Sequence, residues 1–363
     1  MNQDIRKGEF LSMVQESAQA FVAHNHSRDR LRAASPSLWG ALVDVGLTAA
    51  LLPETDGGAE IGAVGVVRLT RLFGRALLPE PYVALALVPS VLALAMPRGE
   101  QRNSLISGLT SEGGASALCW QEHGNAIDAW SSRSRLIAGR LSGQKILSPL
   151  AEHLLVTAET DGQPVLAAVH CGEAGVSVKT RSDLGGGIVA DIGFQDAPMS
   201  EIVLEGQLAK DAVERALAMG ALATAAQLLG VAEGLNALTL EHLSVRQQFG
   251  RPLGSFQALQ HRAVDLHMAT ALGEASVEQA AELYDADPDG NAARAAISAA
   301  KARACEAAAL ASREAIQLHG AIGFTEESDV SLFVRAILGL TSRFGGALAH
   351  RRRFLALGGD ANA

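Results

Sequence analysis

From about residue 208 onward the chain is dominated by three alanine-rich runs with helical spacing, 209–248, 254–285 and 290–319. At 3.6 residues per turn, each spans roughly eight turns or more. Gly250-Arg-Pro-Leu-Gly254 and Asp285-Ala-Asp-Pro-Asp-Gly290 separate them, and both segments are dense in residues that stop helices. Helices this long, with small residues on several faces, must be packed on several sides. The pattern predicts a close helical bundle, buried in part against another subunit.

Helical spacing also marks the first 110 residues, as in Phe10, Met13, Val14, Ala18 and Phe21, then Leu38, Leu42, Val43 and Val45. The turn-rich loop Pro53-Glu-Thr-Asp-Gly-Gly58 interrupts it, and two further helices are expected near 62–76 and 82–96. Between about 115 and 205 the period changes. Short apolar runs at 115–119, 154–158, 165–169, 188–194 and 201–205 are bounded by Gly, Asp and Ser, which predicts an antiparallel sheet or small barrel. The expected organisation is mostly α with a central β domain: a helical domain over 1–113, a β domain over 114–206 and a helical bundle over 207–363.

Composition narrows the function. A formal charge of −9 leaves no basic stripe for nucleic acid, and Arg351-Arg-Arg353 reads as a solvated helix face. Cys119, Cys171 and Cys305 show no CxxC spacing, so neither a disulfide framework nor a zinc site is expected and a reducing cytoplasm fits. His24 and His26 fall on different helix faces, which does not suit a metal pair. The first residues lack the apolar stretch of a signal peptide, and no window approaches eighteen uninterrupted apolar residues, so no membrane span is expected.

Two segments carry the chemistry: Arg246-Gln-Gln-Phe-Gly-Arg-Pro252 and Gln317-Leu-His-Gly-Ala-Ile-Gly-Phe324. Taken alone, the first reads as a helix stop, with Arg246 complementing the dipole, Gly250 in the left-handed position and Pro252 barring continuation. Its company points further. Phe256-Gln-Ala-Leu-Gln260 follows, then Lys301, then Thr325-Glu326. Leu51-Leu-Pro-Glu and Phe73-Gly-Arg-Ala-Leu-Leu-Pro-Glu-Pro81 precede it. In order and spacing these resemble the flavin-binding signature of the acyl-CoA dehydrogenase family, and the resemblance extends along the whole chain.

That resemblance implies the family fold of N-terminal helical domain, middle β domain and C-terminal four-helix bundle, with FAD as cofactor. It implies that Arg246, Gln248, Phe249, Gln257, Gln317, Gly320 and Ala321 serve the adenosine-pyrophosphate half of a neighbouring subunit's FAD. A guanidinium suits a pyrophosphate, and small residues allow close backbone approach.

The departures are as informative. The family's reaction needs a carboxylate to take the α-proton of an acyl thioester. The usual position corresponds to Phe344, and the alternative, counted back from Arg246, to Gly220. Neither titrates. Glu214 reads as a solvated surface residue, Glu326 and Glu327 as structural glutamates at a helix start. The segments that would contact the flavin ring read Gln121-Glu-His-Gly-Asn-Ala-Ile-Asp128 and Leu147-Ser-Pro-Leu150, and Pro149 has no backbone donor. Trp120 and Trp130 read as core aromatics.

Residues serving a partner's FAD are kept while those serving the chain's own ring and base are lost. The pattern resembles the smaller, base-lacking subunit of heterotetrameric dehydrogenases of bacterial steroid side-chain degradation. It implies an acyl-CoA substrate, a glutamate-bearing partner, a dimer of dimers and an electron-transfer flavoprotein as acceptor. Gly220 in place of a glutamate-sized residue would leave room for a ring system. The alternatives are a flavin monooxygenase on the same fold and a non-catalytic assembly or acyl-binding module.

Overall fold

A computed structural model of the chain describes residues 2–33, 35–111, 114–124, 127–130 and 133–358. Gly113 at the expected domain boundary, Asn125 and Ala126 of the 121–128 segment, and the 359–363 end lie outside the described residues.

The N-terminal part contains α1 (Asn2–Asn25), α2 (Arg28–Arg32), α3 (Trp39–Asp44), α4 (Gly62–Ala76), α5 (Val88–Ala95) and α6 (Glu100–Leu109), with a π turn over Val83–Leu87 leading into α5. The helices expected near 62–76 and 82–96 are thus present. Asp285 accepts hydrogen bonds from the Ala63 and Val64 amides at 2.7 and 3.2 Å, capping α4 from the far end of the chain.

Eight strands follow: β1 (Ser116–Cys119), β2 (Arg135–Ile137), β3 (Arg140–Pro149), β4 (His153–Thr160), β5 (Gln163–His170), β6 (Val176–Ser182), β7 (Ile188–Pro198) and β8 (Glu201–Glu205). Their order is β6-β7-β3-β2-β4-β5-β8, with β1 also on β4. The sheet is mixed, which corrects the antiparallel expectation: β1 and β2 both run parallel to β4. The chain between β1 and β4 passes through a long loop and the β2–β3 hairpin, a connection long enough to return in the same direction. β2 and β3 gave no sequence signal because their buried residues are interleaved with charged and polar ones, as in Arg140–Pro149, and β6 gave none because it is exposed along almost its whole length.

The remainder is helical: α7 (Gly206–Val245), the two-residue strands β9 (Gln247–Gln248) and β10 (Arg251–Pro252), α8 (Gln257–Ala286), α9 (Asn291–His319), α10 (Asp329–Thr341) and α11 (Ala347–Ala356). α7 is the axis of the molecule, packed by α4, α5, α8, α9 and α10. Among the described residues it is the one helix long and apolar enough to cross a bilayer, and 89% of its apolar window is buried in this packing. Its small residues let other backbones approach. A Cβ on Gly230 would stand 2.0 Å from the Arg71 carbonyl oxygen, and one on Gly74 of α4 would stand 2.1 Å from that of Gln227. Substitution at either crossing would push α4 off α7.

Candidate functional site

The cofactor motif is rebuilt by the fold. α7 ends at Val245, earlier than the spacing suggests, and Arg246 is already extended. Phe249 (φ +54°) and Gly250 (φ +78°) then form the two left-handed corners of a hairpin between β9 and β10. Gly250 therefore serves a hairpin turn, which corrects its reading as a helix stop. A phenylalanine at positive φ is uncommon, and this one is 90% exposed. Arg251 lies over the Phe256 ring at 4.0 Å, bracing the turn.

The second motif arrives at the C-terminus of α9. His319 stacks on His242 of α7 with ring centroids 4.3 Å apart, joining the two helix ends that carry the motifs. His319 Nδ1 lies 2.8 Å from the Ala315 carbonyl oxygen, to which it donates, and this orients the ring. Burial and the neighbouring His319 lower His242 from its ordinary value. His319 had no assigned role from sequence, since only the fold brings His242 against it. All seven residues expected to serve FAD, Arg246, Gln248, Phe249, Gln257, Gln317, Gly320 and Ala321, are exposed. An exposed guanidinium, amides and a strained exposed aromatic suit the adenosine end of a dinucleotide arriving from outside the chain.

The ring end differs. Trp120, Gln121, Ser148, Pro149 and Phe344 enclose a gap of about 30 Å³, whereas ligand pockets measure several hundred Å³. Ser148 is buried beside the Cys119 thiol and Leu147 is left-handed (φ +56°). The residues present do not fit an isoalloxazine ring here. Glu122 is drawn away to the Arg133 and Ser134 amides and to Lys145 Nζ at 2.7 Å. Lys145 is fully buried, and that burial lowers its pKa. Trp120 stacks on Phe344 with centroids 6.4 Å apart, while Trp130 packs against the main core.

The two base positions meet. A Cβ placed on Gly220 would stand 2.4, 2.7 and 2.8 Å from Cε1, Cδ1 and Cζ of Phe344. The Phe344 ring occupies the room that Gly220 leaves, so that room is not available to a substrate ring system, which corrects the sequence expectation.

α9 and α11 hold the turn that carries Phe344. Lys301 Nζ, fully buried, donates to the Thr341 and Gly345 carbonyls at 3.1 and 3.0 Å and to Cys305 Sγ at 3.4 Å. His350 Nε2 donates to the Phe344 carbonyl at 2.8 Å, and burial pushes its pKa down to about 4. Sequence reasoning named Lys301 only as part of the motif's company and gave neither residue this role. The signal was Ser298, Lys301 and Cys305 at helical spacing on an otherwise apolar α9 face.

Nearby carboxylates are engaged elsewhere. Glu80 accepts from the Leu38 amide at 2.6 Å and the Ser37 hydroxyl at 2.8 Å, and Asp183 pairs with Arg343 at 3.0 Å. Glu214 is half-buried and paired with Arg294 at 3.2 Å, so it is not the solvated residue its position suggested. It lines a cavity of about 610 Å³ with Asp128, Arg294, Arg352 and Arg353. The arginine run is therefore divided, not a uniform solvated face: Arg351 pairs outward with Glu306, while Arg352 and Arg353 line this cavity. Burial lowers Arg353, which has no carboxylate within ion-pair distance among the described residues, and a bound anion would oppose that shift.

A helical bundle built on α7, a mixed sheet set before it and two exposed motifs at the helix ends are features that this chain shares with known proteins. The acyl-CoA dehydrogenase C-terminal domain family matches residues 210–356. The acyl-CoA dehydrogenase IpdE2 of Mycobacterium tuberculosis is 29% identical over 334 residues, covering 89% of each chain. Among solved structures, the Tcur3481-Tcur3483 steroid ACAD G363A variant is 27% identical with a TM-score of 0.84, covering 97% of this chain and 98% of that one. The ChsE4-ChsE5 complex from Mycobacterium tuberculosis shares the fold at TM-score 0.84 and 24% identity, covering 98% of each chain. Residues 210–356 thus match the acyl-CoA dehydrogenase C-terminal domain family, and the chain as a whole is similar to acyl-CoA dehydrogenases in sequence and fold.

Proposed function

We propose that the chain is the base-lacking subunit of a heteromeric, FAD-dependent acyl-CoA dehydrogenase that introduces an α,β double bond into an acyl-CoA thioester. The observation that carries this reading is the Phe344 ring seated at Gly220: both positions from which a family base acts are spent on one aromatic contact. A glutamate-bearing partner would supply the base and the flavin ring's surroundings. This chain would complete that partner's FAD through Arg246, Gln248, Phe249, Gln257, Gln317, Gly320 and Ala321, in a dimer of dimers. The arginine-lined cavity suits the phosphates of coenzyme A, since guanidinium groups bind phosphate in bidentate geometry. A solved relative named as a steroid ACAD and carrying two polypeptide names favours a bulky, steroid-derived acyl group and a heteromer. An electron-transfer flavoprotein would receive the electrons.

A monooxygenase on this fold would also need the flavin ring within the chain, where the gap is about 30 Å³. Co-purification with a glutamate-bearing family member tests the proposal. Replacing the partner's base by glutamine should abolish all turnover of the complex. Turnover that survives would place a working base in this chain and end the reading.

A further inference from the structure

Phe344 lines one cavity directly, and the residue after it, Gly345, is seated on Ile127 of a second. The arginine-lined one reaches Leu217 of α7 and Ile127, and one of about 90 Å³, lined also by Glu80, Asp183 and Arg343, lies against Thr224, Val231 and Leu340. Leu217 and Thr224 are two turns apart on one helix face, about 10 Å along the axis. Gly220 lies between them, where the Phe344 ring sits. No residue lines both cavities.

We propose that Phe344 is a fixed plug severing these cavities, so that this chain holds the phosphate-bearing end of a CoA ester and is blind to its acyl chain. The inference rests on the acyl-CoA reading above and concerns what this chain's own site still recognises. The plug is held from every side. Trp120 stacks on the ring, nearly parallel at 17°. Backbone rotation is limited because Phe344 and Gly345 both stand at positive φ, +53° and +95°. Their carbonyls are tied to His350 at 2.8 Å and Lys301 at 3.0 Å. Behind the turn, a Cβ on Gly345 would lie 2.1 Å from Ile127 Cγ2, so the loop is seated directly on it. Swinging the ring out would break several of these contacts together. An acyl chain entering past Leu217 therefore meets a closed wall, and its length adds no buried area.

Calorimetric titration of the full chain with coenzyme A and with octanoyl-CoA tests this without flavin or partner. The parent should bind the two equally within about twofold, and a parent that binds neither overturns the proposal. Phe344→Ala should bind octanoyl-CoA at least about tenfold tighter than coenzyme A, a gain that burial of two methylenes would supply. Phe344→Leu, which keeps most of the fill and guards against misfolding of the alanine variant, should show a smaller gain of the same sign. A parent that prefers octanoyl-CoA by more than about twofold overturns the plug, as does a gain in neither variant. The heteromer can still form and turn over in that event, and a failure to form it leaves these titrations valid, so the two readings fail separately.

Discussion

Gly220→Ala isolates the contact on which the account turns. The new methyl would stand 2.4 Å from Phe344 Cε1 and within 2.8 Å of two further ring atoms. Alanine in a helix interior gains up to about 1 kcal/mol over glycine, whereas overpacking a core costs about 1–3 kcal/mol. Because Trp120 and the tethered turn prevent the ring from yielding, the cost falls at the upper end and the substitution should destabilise by about 1–2 kcal/mol. In a Phe344→Ala background the clash is gone while the helical gain remains, so the same change should stabilise by about 0.5–1 kcal/mol. The cycle thus carries a coupling of roughly 1.5–3 kcal/mol. Urea denaturation of the four proteins, followed by far-UV circular dichroism, measures it. Additivity within about 0.5 kcal/mol would show that the ring and the notch do not touch.

Other consequences follow from the same geometry. His350 is pushed down to about 4 while the unfolded chain takes up its proton near 6.5, so folded stability should fall as pH drops between those values, by an order of 3 kcal/mol in all. His350→Gln should flatten that slope in denaturation series run between pH 4 and 7. Arg246→Ala should leave the chain's own stability within about 0.5 kcal/mol, the usual range for an exposed position, yet weaken FAD retention by the assembled complex by roughly 10- to 100-fold, as loss of a charge-assisted hydrogen bond does. Unchanged retention, read from flavin released on gel filtration, would remove Arg246 from the cofactor site. Phe249→Gly relieves a strained left-handed residue that is almost fully exposed, so the isolated chain should become slightly more stable while the complex loses flavin more readily. A loss of stability instead would mean that Phe249 packs within the chain.

The long helices were legible because their breaks are made of Gly, Pro and Asp, and the strands that are continuous apolar runs, such as β1, β4 and β5, were legible too. β3 was not: Arg140–Pro149 mixes charged and apolar residues around a bulge, and its buried Lys145 is sustained by Glu122 from a distant loop. The motifs fixed which residues belong to the adenosine end, but the spacing could not show that Phe249 and Gly250 form a hairpin turn. The absence of a base could be counted from the motifs. What replaced it could not, because the meeting of Phe344 with Gly220 depends on how the turn after α10 crosses α7. Lys301 and His350, the polar ties that hold that turn, were hidden for the same reason: a single lysine or histidine in a helix carries no sign of the carbonyls it will find.

The most direct measurement is the FAD-to-protein ratio of the chain purified alone and then with a glutamate-bearing family member, from absorbance near 450 nm beside native mass. The account requires a flavin-free or poorly loaded chain alone and a heteromer carrying one FAD for each pair of subunits. Near one FAD per chain in an active homomer would contradict it, because the ring would then occupy the space that Phe344 and Trp120 fill.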